Sequence, residues 1–180
     1  MKISEKKLQV VLALILVALV VFSRLLPHPA NFAPVAAVAI FSGAYFSRKL
    51  ALVVPIVAMF LSDFLMGSYD MIFIVGGCYA AIGLASSYWL KRPNLLRGGA
   101  LTLAGSAFFF LVTNFAVWIW SGMYEHTWTG LILCYEMGLP FFRGTVLGDI
   151  IYTLVLFGAM VLAMRLARRS QLLARQGHDA

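Results

Sequence analysis

The sequence predicts an all-α integral membrane protein that forms a single domain of six transmembrane helices. Hydrophobic residues make up 62% of the 180 residues and charged residues only 12%, and the mean hydropathy is +0.92. A soluble domain carries about 25% charged residues, so the composition excludes that class. The apolar runs are continuous rather than alternating. Because lipid admits only helices and closed barrels as spanning structures, this pattern favours helices.

The first predicted span follows a charged start and is long enough to cross the ~30 Å hydrocarbon core. Its apolar run is longer than that of an ordinary signal peptide, and no small-residue cleavage site follows it, so we expect it to stay in the protein. Pro27 and Pro29 end this helix. The six predicted spans are residues 8–26, 32–46, 50–66, 71–90, 101–120 and 145–164.

Small residues characterise the second predicted span. Ala33 and Ala37, and likewise Ala39 and Gly43, stand four residues apart. This spacing lets the backbones of two membrane helices approach closely, so we expect the second span to pack tightly against another helix.

The connection between the fifth and sixth spans, residues 121–144, is predicted to be a structured cap with one short helix. Gly130, Gly138 and Pro140 interrupt it. Glycine and proline both disfavour a helix interior, so we do not expect a regular span there. A basic tail follows the sixth span.

The distribution of basic residues predicts the orientation. If six spans alternate, only Arg24 and Arg143 of the 14 Lys and Arg residues fall on one side of the membrane. The positive-inside rule therefore places both termini in the cytoplasm. The net charge of +7 then reflects topology and contact with lipid headgroups, and nucleic-acid binding is not needed to explain it. The basic residues predicted on the cytoplasmic side are Lys2, Lys6, Lys7, Arg48, Lys49, Lys91, Arg92, Arg97, Arg165, Arg168, Arg169 and Arg175.

The outer side receives most of the chemically versatile residues. Asp63 has a functional interpretation, because an ionisable residue within a span is costly and usually has a partner. Arg143 is a candidate partner, or a ligand for an anionic group. Asp149 is expected in the first turn of the sixth helix, where the helix dipole favours a negative charge. His28, between two prolines, is either a solvated loop residue or a metal ligand above a pocket.

Cys78 is the strongest candidate for a metal ligand. A helix that starts near Met71 puts Cys78 roughly 10 Å below the outer edge of the membrane. Gly76 and Gly77 precede it and would leave room for a large flat ligand. A thiolate in a pocket binds soft or borderline metals, although a cysteine in a membrane helix also serves as a small packing residue. A disulfide with Cys134 is left open.

Standard catalytic motifs are missing from the sequence. It contains no His-Glu-x-x-His zinc motif, no phosphate-binding loop and no Gly-x-Gly-Asp motif of intramembrane aspartyl proteases. We therefore expect binding or transport rather than one of these enzyme classes.

Three stretches carry a resemblance to a known family. They are residues 24–46 (RLLPHPANFAPVAAVAIFSGAYF), residues 61–63 (LSD) and residues 138–149 (GLPFFRGTVLGD). Together with Cys78, they resemble the BtuM vitamin B12 uptake family, which is related to the substrate-binding S-components of energy-coupling-factor transporters.

The resemblance implies an S-component-like bundle in a bacterial cytoplasmic membrane that binds cobalamin near its outer face. Cys78 would be an axial ligand of the cobalt and would assist loss of cyanide from cyanocobalamin. Asp63, Tyr79 and Arg143 would contact the ligand or tune the thiol, and His28 is a further candidate ligand.

The chain also departs from S-components. Those proteins carry an Ala-x-x-x-Ala motif on the first helix, which docks the energising subunit, whereas Ala33 and Ala37 lie on the second predicted span. The resemblance therefore implies a transporter that acts alone. Two alternatives stay open. One is an S-component-like transporter of a different micronutrient, and the other is a structural membrane subunit that transports nothing.

Overall fold

A computed structural model describes residues 5–67, 70–90 and 94–176, together with the side chains of residues 6–67, 70–90 and 94–170. This part of the chain is helical, with no strand, and contains six helices. They are α1 (Glu5–Leu25), α2 (Val35–Tyr45), α3 (Arg48–Met66), α4 (Ile72–Trp89), α5 (Leu95–Trp120) and α6 (Trp128–Gln176).

Five of these helices, α1, α3, α4, α5 and α6, are long and apolar enough to cross a membrane. This confirms the prediction of a multi-pass α-helical membrane protein. The starts and ends of α1, α3 and α4 lie within three residues of the predicted spans, and α5 begins six residues earlier than expected.

The prediction of a membrane-spanning second helix is wrong, because α2 is too short to cross a membrane. It has 11 residues, which corresponds to about 16 Å of the ~30 Å needed. Pro34 stands at its N-terminus, and the proline-rich segment before it is not helical. Residues 35–43 are all buried, so α2 is a short helix enclosed by the spanning helices.

The cap predicted for residues 121–144 is wrong, since only residues 121–127 connect α5 to α6. Helix α6 starts at Trp128, is not interrupted at Pro140, and has 49 residues in all. Packing against α5 explains why it is not broken. A Cβ atom at Gly138 would collide with the Asn114 side chain, so this glycine allows α6 to approach α5 closely. The Tyr135 hydroxyl also donates a hydrogen bond of 2.8 Å to the Leu111 carbonyl. Tertiary contacts of this kind override weak helix propensity.

Close packing of α2 against α4 forms the centre of the bundle. A Cβ atom at Gly43 would overlap the backbone of Gly83, and one at Gly83 would lie 2.5 Å from the Ala51 carbonyl oxygen of α3. The Ser86 hydroxyl donates to the Ile40 carbonyl over 2.6 Å. The small residues predicted at this position therefore do bring helices together.

The bundle has two distinct ends. Residues 26–34 and 121–127 connect helices at one end, here called the loop end. At the opposite end, here called the basic end, the Arg48 guanidinium lies 4.4 Å from the centre of the Tyr88 ring. The other basic residues predicted to lie on that side and described with side chains are Lys6, Lys7, Lys49, Arg97, Arg165, Arg168 and Arg169. Lys2, Lys91 and Arg92 lie outside the residues that the structure describes, as does the side chain of Arg175.

Candidate functional site

A cavity of about 450 Å³ lies at the loop end of the bundle. Helices α1, α3, α4 and α5 and the segment before α2 all contribute to its lining. Its polar lining residues are Arg24, His28, Asn31, Tyr79 and Thr113. Its apolar lining includes three methionines, Met59, Met66 and Met71. A cavity of this size and mixed character is typical of a small-molecule binding site.

A buried ion pair borders the cavity. The Arg24 Nη1 atom lies 2.7 Å from Oδ1 of Asp63, whose side chain is 1% exposed. The same Nη1 also donates to the Ser62 hydroxyl and to the Met59 sulfur. Arg24 lines the cavity, whereas Oδ2 of Asp63 is buried and accepts no hydrogen bond from the described part of the chain. The pair thus holds a guanidinium at the cavity wall and leaves one buried carboxylate oxygen without a hydrogen bond from the described residues.

The partner of Asp63 is Arg24, and the predicted pairing with Arg143 is wrong. Arg143 lies exposed on α6, outside the lining of this cavity. The physical reason is topological. Helices α1 and α3 run in the same direction, so their C-terminal turns meet at the loop end, and Arg24 and Asp63 stand in those turns.

Tyr79 and Phe109 form a stacked aromatic pair that lines the cavity. Their ring centres are 4.8 Å apart and the rings are inclined by 23°. Tyr79 is buried on α4 and Phe109 belongs to α5, so the pair joins these two helices where the cavity ends.

Cys78 is buried beside the cavity but does not line it. Ile82, one turn further along α4, packs against Gly105 of α5. Because residues four apart share a helix face, Cys78 belongs to the face of α4 that meets α5. The preceding glycines do not clear a surface next to the thiol. Gly76 faces the Phe60 ring, and Gly77 is exposed on another side of the helix.

His28 lies at the exposed rim of the cavity. Its Nδ1 atom lies 2.7 Å from the Pro29 carbonyl oxygen. A carbonyl only accepts, so Nδ1 carries the proton and donates this bond. The Nε2 lone pair is then the one left for a metal, which is the usual arrangement of a metal-binding histidine.

A smaller cavity of about 150 Å³ adjoins the first one. The two share Asn31, Phe109, Thr113 and Val117. The smaller one continues between α5 and α6 to Asn114 and Thr145. Asn31 has a φ of 59°, a left-handed conformation that asparagine tolerates better than most residues.

The other predicted ligands are dispersed. No group of three or more His, Cys, Asp or Glu side chains that could hold a metal occurs among the described residues. Cys78 and Cys134 are both buried free thiols, so the disulfide left open by the sequence is not formed. Asp149 is not in a first turn, because α6 starts at Trp128. It lies well inside that helix, its side chain is buried, and its Oδ2 atom is hydrogen-bonded to the Ser106 hydroxyl.

Sequence reasoning missed Arg24, Asn31 and Thr113 as site residues. Arg24 did carry a signal, since it is the single charged residue in an apolar run that extends from Leu8 to Leu26. Asn31 and Thr113 carried none, because common polar residues near a helix end need no special explanation.

The fold and the cavity define a multi-pass helical membrane protein with a partly polar cavity at one end of the bundle. The chain belongs to a family of unknown function, DUF6580, whose sequence profile matches residues 4–172. Comparisons with curated proteins and with solved structures found no match.

Proposed function

We propose that the protein is a transporter of the bacterial cytoplasmic membrane that takes up a vitamin-sized solute through the loop-end cavity, with cobalamin as the substrate. The observation that carries this proposal is the cavity itself. It combines the guanidinium of Arg24 and the imidazole of His28 with walls of methionine and aromatic side chains. Such a lining suits a partly apolar ligand that carries anionic and metal groups, and a cavity of about 450 Å³ would enclose one part of a corrinoid rather than the whole molecule.

In this proposal the loop end faces outward. The described basic residues of the opposite end would then face the cytoplasm, in agreement with the positive-inside rule. The cavity would be reached from outside the cell, as uptake requires.

The cobalt ligands are proposed to be His28 and Cys78. His28 already lines the cavity and offers Nε2. Cys78 adjoins Tyr79 and stands one turn from Val75, and both of these neighbours line the cavity. The thiol would reach a bound corrinoid only after the Tyr79–Phe109 stack opens. Bound at cobalt, it would assist loss of cyanide. Asp63 and Tyr79 would contact the ligand or tune the thiol, whereas Arg143, exposed on α6, would act at the outer surface.

Transport without an energising module is part of the proposal. Ala37 is fully buried and Ala33 lines the cavity, so neither offers a surface for another membrane subunit. A partly polar cavity also favours a binding role over a purely structural one. The second candidate is transport of another anionic micronutrient, which the Arg24 guanidinium at the cavity wall favours and which needs no thiol.

The test is the visible absorption spectrum of the protein purified from cells fed cyanocobalamin. We expect a bound corrinoid whose spectrum changes in His28→Ala and in Cys78→Ala. A matched control is Cys134→Ala, which removes the other buried thiol, one that lines neither cavity, and should leave the spectrum unchanged.

The outcomes separate the candidates. If the protein binds a corrinoid and the spectrum changes in His28→Ala but not in Cys78→Ala, cobalamin remains the proposed substrate and Cys78 is not a cobalt ligand. A colourless, folded and monodisperse wild-type protein would exclude cobalamin and leave the anionic micronutrient as the candidate.

A further inference from the structure

A row of polar side chains lies in the interface between α5 and α6, on the side of the smaller cavity that faces the basic end. Thr145 lines that cavity, and Asp149 follows one turn later on α6, about 6 Å further along the helix axis. The Ser106 hydroxyl lies 2.7 Å from Oδ2 of Asp149, and the hydroxyls of Thr102 and Thr153 lie 2.9 Å apart one turn below. Phe157, packed on Gly98, closes the row toward the basic end.

The hydrogen bonds around Ser106 are compatible with two protonation states of Asp149. The Ser106 hydroxyl lies 2.7 Å from Oδ2 of Asp149 and 3.0 Å from the carbonyl oxygen of Thr102, but it has only one hydrogen. If Asp149 is ionised, Ser106 donates to the carboxylate. If Asp149 is protonated at Oδ2, the acid donates to Ser106, and Ser106 donates to the Thr102 carbonyl. The same heavy atoms thus satisfy both states, and only the Ser106 hydroxyl hydrogen turns.

Asp149 lies about half-way along the helix bundle. Its partner Ser106 is close to the midpoint of α5, whose 26 residues extend for about 39 Å. Asp149 is 2% exposed. A buried carboxyl group without a cationic partner favours its neutral form, because isolated charges are poorly solvated in an apolar interior.

Asp149 has no buried charged neighbour among the described residues. Every other charged side chain on the described elements that pack around it is exposed. The segment from Pro29 to Tyr45 contains no charged residue, and Arg97, the one charged residue of α5, is exposed near its start. On α6 the charged side chains described besides Asp149 are all exposed, and the titratable Tyr152 packs against the Phe32 ring. In the described ranges the one ion pair is Arg24 with Asp63.

The turn of α6 that carries Asp149 also supports part of the cavity wall. A Cβ atom at Gly148 would lie 3.2 Å from the Cα atom of Phe32, and one at Gly144 would overlap the Ala30 carbonyl. The segment seated on these glycines supplies Asn31 and Ala33 to the cavity. The turn that carries Asp149 is therefore in direct contact with the segment that lines the cavity.

From this geometry we infer that Asp149 binds and releases a proton during the transport cycle, and that this proton couples transport to the proton gradient. The proton arrives from water in the smaller cavity, past Thr145, and binds the carboxylate at Oδ2. It leaves from the same oxygen to water that enters from the basic end, past Thr153 and Thr102, once Phe157 moves aside. The inference deepens the proposed function and rests on it for the coupling, while the proton-binding site itself stands on the geometry alone.

The proton site is tested by infrared difference spectroscopy of the full-length protein in lipid, titrated from acidic to alkaline pH. We expect the carbonyl band of a protonated carboxylic acid to disappear on titration. Asp149→Asn should abolish this band. Ser106→Ala should shift it, because the acid loses its hydrogen-bond partner, and Asp63→Asn, which removes the other buried carboxyl group, should leave it in place.

Coupling is tested in proteoliposomes with radiolabelled cyanocobalamin as the probe. We expect an imposed inward proton gradient to drive accumulation in the wild type. Asp149→Asn should lose this accumulation but retain exchange of labelled for unlabelled cobalamin, a readout that also shows it is folded.

Two results would overturn the inference. One is a titration in which no carboxylic-acid band depends on Asp149, and the other is gradient-driven accumulation that survives Asp149→Asn. Failure of the wild type to bind cyanocobalamin would reject the proposed substrate instead, and the infrared titration would still decide whether Asp149 is a proton site.

Discussion

Arg24 and Asp63 approach each other to 2.7 Å and tie the C-terminal turn of α1 to that of α3. The two partners differ in exposure, since the side chain of Arg24 is 15% exposed and that of Asp63 only 1%. The carboxylate depends on the guanidinium, whereas the guanidinium has partial access to water. This asymmetry leads to the first prediction.

Loss of Arg24 should cost more stability than loss of Asp63. Arg24→Met leaves a buried carboxylate without its cation and should lower the free energy of unfolding by about 3–5 kcal/mol. Asp63→Asn leaves an arginine that can extend toward the membrane surface, so we expect a loss of about 1–3 kcal/mol. Unfolding in detergent measures both. The double variant should lose less than the sum of the two, and additive losses would contradict a direct pairing.

A second prediction concerns the close contact between α4 and its neighbours. Gly83→Ala places a methyl group 2.5 Å from the backbone carbonyl oxygen of Ala51, which cannot move aside as a side chain does. We expect a loss of about 1–3 kcal/mol in the free energy of unfolding. Gly77→Ala, on the same helix, is the matched control, because no atom lies within 4 Å of its new methyl group. Equal losses in both variants would mean that helix packing is not responsible.

A third prediction follows from the burial of both thiols. The exposed fractions are 3% for Cys78 and 1% for Cys134. In the folded protein in detergent we expect neither to react rapidly with a maleimide, and both to react after denaturation. Intact mass counts the added labels. Rapid single labelling of the folded protein that is absent in Cys78→Ala would contradict the burial of this thiol.

A fourth prediction tests the orientation of the bundle. In a Cys78→Ala, Cys134→Ala background, Met123→Cys places a single thiol at the loop end and Ser170→Cys places one at the basic end; both positions are exposed. A membrane-impermeant maleimide added to intact spheroplasts should label only the first variant, because the positive-inside rule places the basic end in the cytoplasm. Labelling of the second variant alone would reverse the orientation and remove the basis for uptake through the cavity.

The sequence predicted the membrane class and the positions of α1, α3 and α4 closely, because these depend on uninterrupted apolar length. It failed for α2 and α6. The apolar run of α2 includes residues before Pro34 that are not helical, and run length alone does not show where a helix starts. At Pro140 the local signal indicates a break, but packing along α5 keeps the helix continuous.

The candidate site was predictable only in part. Tyr79 and His28 line the cavity, and Asp63 borders it through Arg24, but Cys78 does not line it. Which face of α4 points to the cavity depends on how α4 is rotated against α2 and α5. A sequence of mostly apolar residues leaves that rotation undefined, since its small and large residues occur on every side of the helix.

Composition and apolar run length by themselves determined that this protein crosses a membrane several times, because the bilayer requires long helices with few charges. Only the tertiary structure decided that Asp63 pairs with Arg24, that Asp149 lies beside Ser106, and that α2 is enclosed within the bundle. These relationships join residues distant in the chain, and they depend on how the helices are rotated and packed against one another, which a local sequence pattern does not specify.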